Sequence, residues 1–349
     1  MRIIGCLSFR ARRAAWITCL CVVLLAALFR PGFGQEASRK LLVAYSGLIT
    51  MNASLWVAED LGLFKKHGLD VSAVFTGSGS VTSQTLVAGE VKLAANSVGP
   101  VAGAAGGGAD IVIIAGLVQM LPYQLWVRPQ IRQAADMRGK SVAISTFGSG
   151  SHLAVEVALQ QIGIEVARDK IAIMQIGAQP DRMAAVVAGR VDGTALEPGF
   201  GQVAKDKGLI MLTDLTKSDT PYVNTVMSAQ RRYVRENSQQ VETFLKGIVD
   251  GLVVMANPGN DKAVKSVLAK RLKLTAPESV QALYDATVQM HARTKVPNTS
   301  ILGTQNMIDA LHRVNPRLAK VKAGELIDNS IVERLEKSGY IAEVMKRGR

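Results

Sequence analysis

The sequence predicts an α/β fold of two lobes, each a mostly parallel sheet flanked by helices, with a ligand cleft between them. Three observations point there. Short apolar runs alternate with stretches of helical period, the alternation restarts midway along the chain, and a five-residue echo links the two halves. The chain has 349 residues, enough for two such lobes with cores of their own. With 5% aromatic residues and 32 glycines, it fits a small-residue α/β protein better than an aromatic-rich all-β one.

The elements follow in order. Leu41 to Tyr45 is a short buried strand, and a polar loop runs from Ser46 to Asn52. Ala53, Val57, Leu61 and Phe64 then repeat at helical spacing, with Gly68 as the stop. Val71 to Phe75 is a strand, and Gly77-Ser78-Gly79-Ser80 opens a helix that ends at Gly89. Val91–Ala95 and Ile111–Ala115 are further strands. This βαβα rhythm implies parallel strands covered by helices.

The rhythm begins again with the strand Ser141–Ser145 and the loop Thr146 to Ser151. A helix passes through Val155, Leu159 and Ile162 to Gly163, and Ile171–Ile176 is the next strand. Pro180 suits the first turn of a helix ending at Gly189. Val87-Ala88-Gly89-Glu90-Val91 echoes Val187-Ala188-Gly189-Arg190-Val191, each at a helix end leading into a strand. From Arg231 on the pattern is helical: Tyr233–Met255, Asp261–Leu272, Pro277–His291, Thr304–Val314 and Ile331–Arg349. The expected division is lobe 1 over residues 38–127 and 225–349 and lobe 2 over 128–224. The crossings are expected at Val127–Gln133 and Thr220–Thr225.

Residues 1–34 read as an export signal. Arg2, Arg10, Arg12 and Arg13 precede the uncharged run Trp16–Phe29, and Gly32-Phe33-Gly34 offers a small-x-small cleavage site. This leader holds five arginines and no acid, so the formal +13 falls to 36 basic against 28 acidic residues, or +8, without it. No basic stripe interleaved with aromatics remains, which argues against nucleic acid. The three cysteines, Cys6, Cys19 and Cys21, all lie in the leader. The mature chain is therefore expected in the periplasm, without disulfides, a thiol nucleophile or Cys-ligated metal.

Catalytic and metal signals are poor. His67, His152, His291 and His312 form no spaced pair, and His291 and His312 read as lying on exposed helices. Gly148-Ser149-Gly150 falls short of a nucleophile elbow. No cofactor and no metal are expected. Ligands of an open parallel sheet bind beyond the carboxyl ends of the strands, and free amides at helix starts suit anions. That rule selects Ser46, Thr50, Asn52, Ser78, Ser80 and Asn96 from the first unit. From the second it selects Ser145, Thr146, Phe147, Ser149, Ser151 and Glu197, with Tyr222 and Asn224 at the second crossing. Ser80 and Ser151 are read as helix caps that leave the neighbouring groups free. Phe147 either stacks on a ligand or does not, and Glu197 makes either an interlobe hydrogen bond or a ligand contact. Trp56 and Trp126 are read chiefly as core.

Three stretches carry a family resemblance: Leu55-Trp56-Val57-Ala58-Glu59-Asp60-Leu61-Gly62-Leu63-Phe64 with its continuation to Val71, Asp136-Met137-Arg138-Gly139-Lys140-Ser141-Val142-Ala143, and Ala188-Gly189-Arg190-Val191-Asp192-Gly193 with Glu197-Pro198. The chain resembles the periplasmic substrate-binding proteins of ABC importers, in the nitrate/sulfonate/taurine and thiamine-pyrimidine group. The resemblance covers roughly residues 38–300. It implies a monomer that closes its lobes on a small anionic or polar organic solute and delivers it to an ABC permease and ATPase. Two alternatives remain: a solute receptor serving a sensor or another transporter class, and an enzyme on the same fold. The related fungal thiamine-pyrimidine synthases would require a cysteine-rich motif that the mature chain lacks.

Overall fold

The computed structural model describes residues 40–48, 50–312 and 315–347. The leader, its cleavage site and its cysteines lie outside them. Among the described residues, ten strands form two five-stranded sheets. The strands are β1 (Leu41–Tyr45), β2 (Val71–Phe75), β3 (Leu93–Ser97), β4 (Ile111–Val118), β5 (Gln124–Val127), β6 (Ser141–Ile144), β7 (Ala172–Gln175), β8 (Gly193–Leu196), β9 (Ile210–Asp214) and β10 (Thr225–Gln230). The first sheet has the order β2-β1-β3-β10-β4 and the second β7-β6-β8-β5-β9. The two lobes thus share one strand order, the structural counterpart of the sequence echo. Gly89 and Gly189 end corresponding helices with φ of +78° and +72°, a left-handed conformation that glycine adopts freely.

The two-lobed α/β fold is as expected, but each sheet is mixed. β10 runs antiparallel to β3 and β4, and β5 antiparallel to β8 and β9. The cause is the crossing. The chain leaves β4 at the carboxyl end of the first sheet and enters the second sheet from that same side, so β5 starts where its neighbours stop. β9 and β10 repeat the arrangement in reverse. The first crossing is residues 119–123, ahead of the Val127–Gln133 stretch indicated by sequence, because β5 already pairs in the second sheet. The second is residues 215–224.

Local departures from expectation have local causes. The first helix stops at Asp60 and a new turn starts at Leu63, because Gly62 takes φ +70°. The strand expected at Val91 begins at Leu93. The helix Val98–Gly106 has six glycine and alanine residues in nine and too weak a period to be read. All eight residues of β4 are buried, since the helical tail covers this flank and bridges Ile113 to Ile327. The tail also stacks Phe244 on Phe64 at 5.0 Å. His291 is buried rather than exposed. Its Nδ1 lies 3.0 Å from the Thr287 carbonyl, and burial lowers its pKa to about 4, which keeps the imidazole neutral. Trp56 is fully buried and meets Tyr45 edge to face at 5.7 Å, and Trp126 is buried in the second lobe. Both belong to the core.

Candidate functional site

The carboxyl ends of the two sheets face each other across a narrow cleft whose cavity volume is about 70 Å³. Its second-lobe wall begins with three serines. The Ser145 hydroxyl donates to Ser149 Oγ at 2.9 Å, and Ser151 Oγ lies 3.0 Å from each of them. All three line the cleft. Backbone amides hold two of the oxygens, Ser145 N–H on Ser151 and His152 N–H on Ser149. The hydroxyl protons are thus shared within the triangle, and rotation about the C–O bond turns one towards a ligand.

Arg182 stands on the same wall and is 2% exposed. Its Nε–H donates to Thr194 Oγ1 at 3.0 Å, Nη1 to the Gly177 carbonyl at 2.6 Å, and Nη2 to the Ala195 carbonyl at 3.0 Å. These use three of the five guanidinium donors. Burial lowers its pKa to about 10, so it remains a cation at neutral pH. Gln179, one turn earlier, is also buried on the cleft, and its Nε2 has no partner.

The first lobe and the second crossing complete the wall with Ser46, Asn52, Ser97 and Asn224. Asn52 gives its Nδ2 to the Gly47 carbonyl at 2.8 Å, and Asn224 gives its own to Met51 Sδ at 3.0 Å. The Oδ1 atom of each is buried without a partner. Tyr123, from the first crossing, is buried at the cleft, and desolvation raises its phenol pKa.

Other residues selected from the sequence lie elsewhere. Thr50 and Glu197 are buried and bound to one another across the lobes: the Thr50 amide donates to Glu197 Oε2 at 3.2 Å, and its hydroxyl donates to the same oxygen. This is the interlobe reading of Glu197. Asn96 is spent inside the first lobe, with Nδ2 on the Gly79 carbonyl (2.8 Å) and Ser83 Oγ (3.0 Å) and Oδ1 on the Ser97 amide. Thr146 Oγ1 is buried without a partner and away from the cleft wall. Phe147 is 54% exposed and turns its ring against His152. Tyr222 is half-buried beside the first core. The caps are also displaced by two residues. Ser78 and Ser149, not Ser80 and Ser151, accept the amide at the third helical residue, because the helices start at Gly79 and Gly150.

The two caps form a matched pair for experiment, since only Ser149 lines the cleft. Ser78→Ala is expected to cost about 1 kcal/mol of stability and leave affinity unchanged. Ser149→Ala is expected to cost the same stability and, with a wall hydroxyl gone, up to about tenfold in affinity. Melting curves beside calorimetric titration separate the two losses.

Sequence reasoning missed Arg182, Gln179 and Tyr123. The loop after Ile171–Ile176 obeys the same strand-end rule that selected the others, and following it would have reached Gln179 and Arg182. The lobes touch closely beside the cleft. A Cβ on Gly99 would lie 2.2 Å from the Gly148 carbonyl oxygen, and one on Gly199 2.3 Å from Leu283 Cδ1. Among the described residues, no group of three His, Cys, Asp or Glu side chains could hold a metal, and no helix is long and apolar enough to cross a membrane.

Solved structures share this architecture. A Bordetella bronchiseptica RB50 protein superposes with a TM-score of 0.74 at 20% identity, covering 86% of this chain and 98% of its own. The alkanesulfonate-binding protein SsuA from Xanthomonas axonopodis pv. citri, bound to MOPS, gives 0.63 at 18% identity, covering 84% and 96%. The periplasmic nitrate-binding protein NrtA from Synechocystis PCC 6803 gives 0.68 at 13% identity, covering 88% and 91%. No curated protein sequence matches the chain significantly. At these identities the likeness is one of fold. The sequence family described as NMT1/THI5 like matches residues 50–260, a span that runs from the turn at Thr50 through both crossings and the whole second sheet. With most of its length matched, and with the two-lobed fold in place, the chain belongs to the NMT1/THI5-like family.

Proposed function

We propose that this protein is an extracytoplasmic solute-binding protein that captures a small polar or anionic organic molecule between its lobes and delivers it to an ABC importer. The observation that carries this reading is the cleft wall: the buried Arg182 cation, with two N–H donors left over, stands beside three serine hydroxyls and opposite Asn52 and Asn224. Such a wall binds a polar head group through hydrogen bonds from both lobes at once. Residues 119–123 and 215–224 act as the hinges, and the lobes are 40–118 with 225–347, and 124–214. The sulfonate and nitrate binders of like fold support the class of solute, and the expected leader supports the location. Binding is favoured over acyl transfer by the local geometry of His152. Its Nδ1 accepts the Gly148 amide at 2.9 Å, which points its other nitrogen at Glu156, 3.5 Å away, and leaves Ser149 without a base.

The test is native mass spectrometry of protein purified from the periplasm of its own host. A small molecule bound at one per chain is expected. After its removal and return, small-angle scattering should show a contraction. Unchanged scattering at saturation would refute hinged capture.

A further inference from the structure

Thr50 and Glu197 come from different lobes and are 147 residues apart, yet both donors of Thr50 end on one carboxylate oxygen. The carboxylate is 1% exposed, and its second oxygen, Oε1, is buried with no partner. Two residues on, Gly199 presses against Leu283 of the helix Pro277–His291. The segment from Glu197 to Gly199 is therefore held by the first lobe on two sides. It is not part of the cleft wall. Parting the lobes breaks both Thr50 bonds and gives the carboxylate back to water.

The charged and titratable groups that bear on Glu197 are Arg182, from the helix Gln179–Val187, and Tyr123, from the first crossing. The Pro277–His291 helix contributes apolar Leu283 at this contact. Burial raises the Glu197 pKa to about 7, against the pull of the Thr50 hydrogen bonds, of the Gln179 side chain and of Arg182. The unpartnered Oε1 explains why burial wins, because the Thr50 donors replace the hydration of only one oxygen.

We propose that the Thr50–Glu197 contact is a proton-controlled latch: protonation of Glu197 holds the lobes together, and its ionisation favours their parting. The proposal goes beyond solute capture and rests on that reading for the motion of the lobes. The direction follows from linkage. A carboxyl returned to water titrates in its ordinary range near 4.5, so the closed form holds the proton more tightly. Closure then takes up a proton. With those two values, the ratio of closed to parted molecules falls about tenfold from pH 6 to pH 8.

The experiment is small-angle scattering of the mature chain, with no added solute, from pH 5.5 to 8.5. Gly99→Ala, whose added Cβ collides with the opposite lobe, serves as the parted reference. Wild type is expected to contract as the pH falls, and Glu197→Gln to stay contracted throughout. Thr50→Val keeps the amide donor and loses the hydroxyl, so its midpoint should move to higher pH. It tests the latch independently if Glu197→Gln folds poorly. A wild type and Glu197→Gln with the same pH response, or a wild type that differs from Gly99→Ala yet ignores pH, overturns the latch and leaves hinged capture standing. A wild type indistinguishable from Gly99→Ala at every pH overturns the motion itself.

Discussion

Gly99→Ala is expected to weaken solute binding by about a hundredfold while the melting temperature barely moves. Gly99 sits in the first turn of the helix Val98–Gly106, and the backbone there accepts alanine, which favours helix over glycine by about 1 kcal/mol. The added methyl carbon would lie 2.6 Å from Leu311 Cδ1 and 2.2 Å from the Gly148 carbonyl oxygen. Leu311 belongs to the same lobe and can turn aside. The carbonyl is backbone of the opposite lobe, and only a wider gap relieves it. If parting the lobes costs the bound state about 2.7 kcal/mol, affinity drops by that hundredfold. Titration with the solute recovered from the native protein, beside a melting curve, checks both halves. Wild-type affinity in this variant would mean that the Gly99–Gly148 approach plays no part in capture.

Arg182→Met is expected to lose both stability and binding. The substitution leaves the Gly177 and Ala195 carbonyls and the Thr194 hydroxyl without their donor. Thr194 and Ala195 are buried, and each unpaired group there costs about 1–3 kcal/mol, whereas the part-buried Gly177 carbonyl turns to water. With a buried charge also removed, the net loss is about 3 kcal/mol. Two charge-assisted hydrogen bonds lost to an anionic head group add at least about a hundredfold in affinity. Arg182→Lys keeps the charge but not the planar fork, and one ammonium cannot serve three acceptors set around it. It should recover little of either loss. Denaturant unfolding with titration of both variants measures this, and tight binding by Arg182→Met would remove the guanidinium from the site.

The fold was legible because its signals are local. Apolar runs such as Leu41–Tyr45 and glycine stops such as Gly89 and Gly189 are read within a few residues. β10 was not legible, since nothing in Thr225–Gln230 tells that it will lie between strands more than a hundred residues earlier. In the site, the strand-end rule brought Ser46, Asn52, Ser145, Ser149 and Ser151, and the crossing position brought Asn224, to one cleft. It could not tell which side chains turn inward. Asn96 obeys the rule and spends every polar atom within its own lobe. Arg182 read as one more surface cation because sequence does not show that Gly177, Thr194 and Ala195 gather around its head group. The Thr50–Glu197 pair joins two loops whose meeting depends on how the lobes are set.

The strand order also dictates when each lobe can be completed during synthesis. All five strands of the second sheet lie between Gln124 and Asp214, so that lobe has its full set once residue 214 has emerged. The first sheet must wait for β10, which ends at Gln230 and fills the place between β3 and β4. Until then those two strands keep open edges, the kind of surface that recruits other chains. The lobe that begins the sequence is the last to be finished, and its nascent form is the species that most needs protection from aggregation.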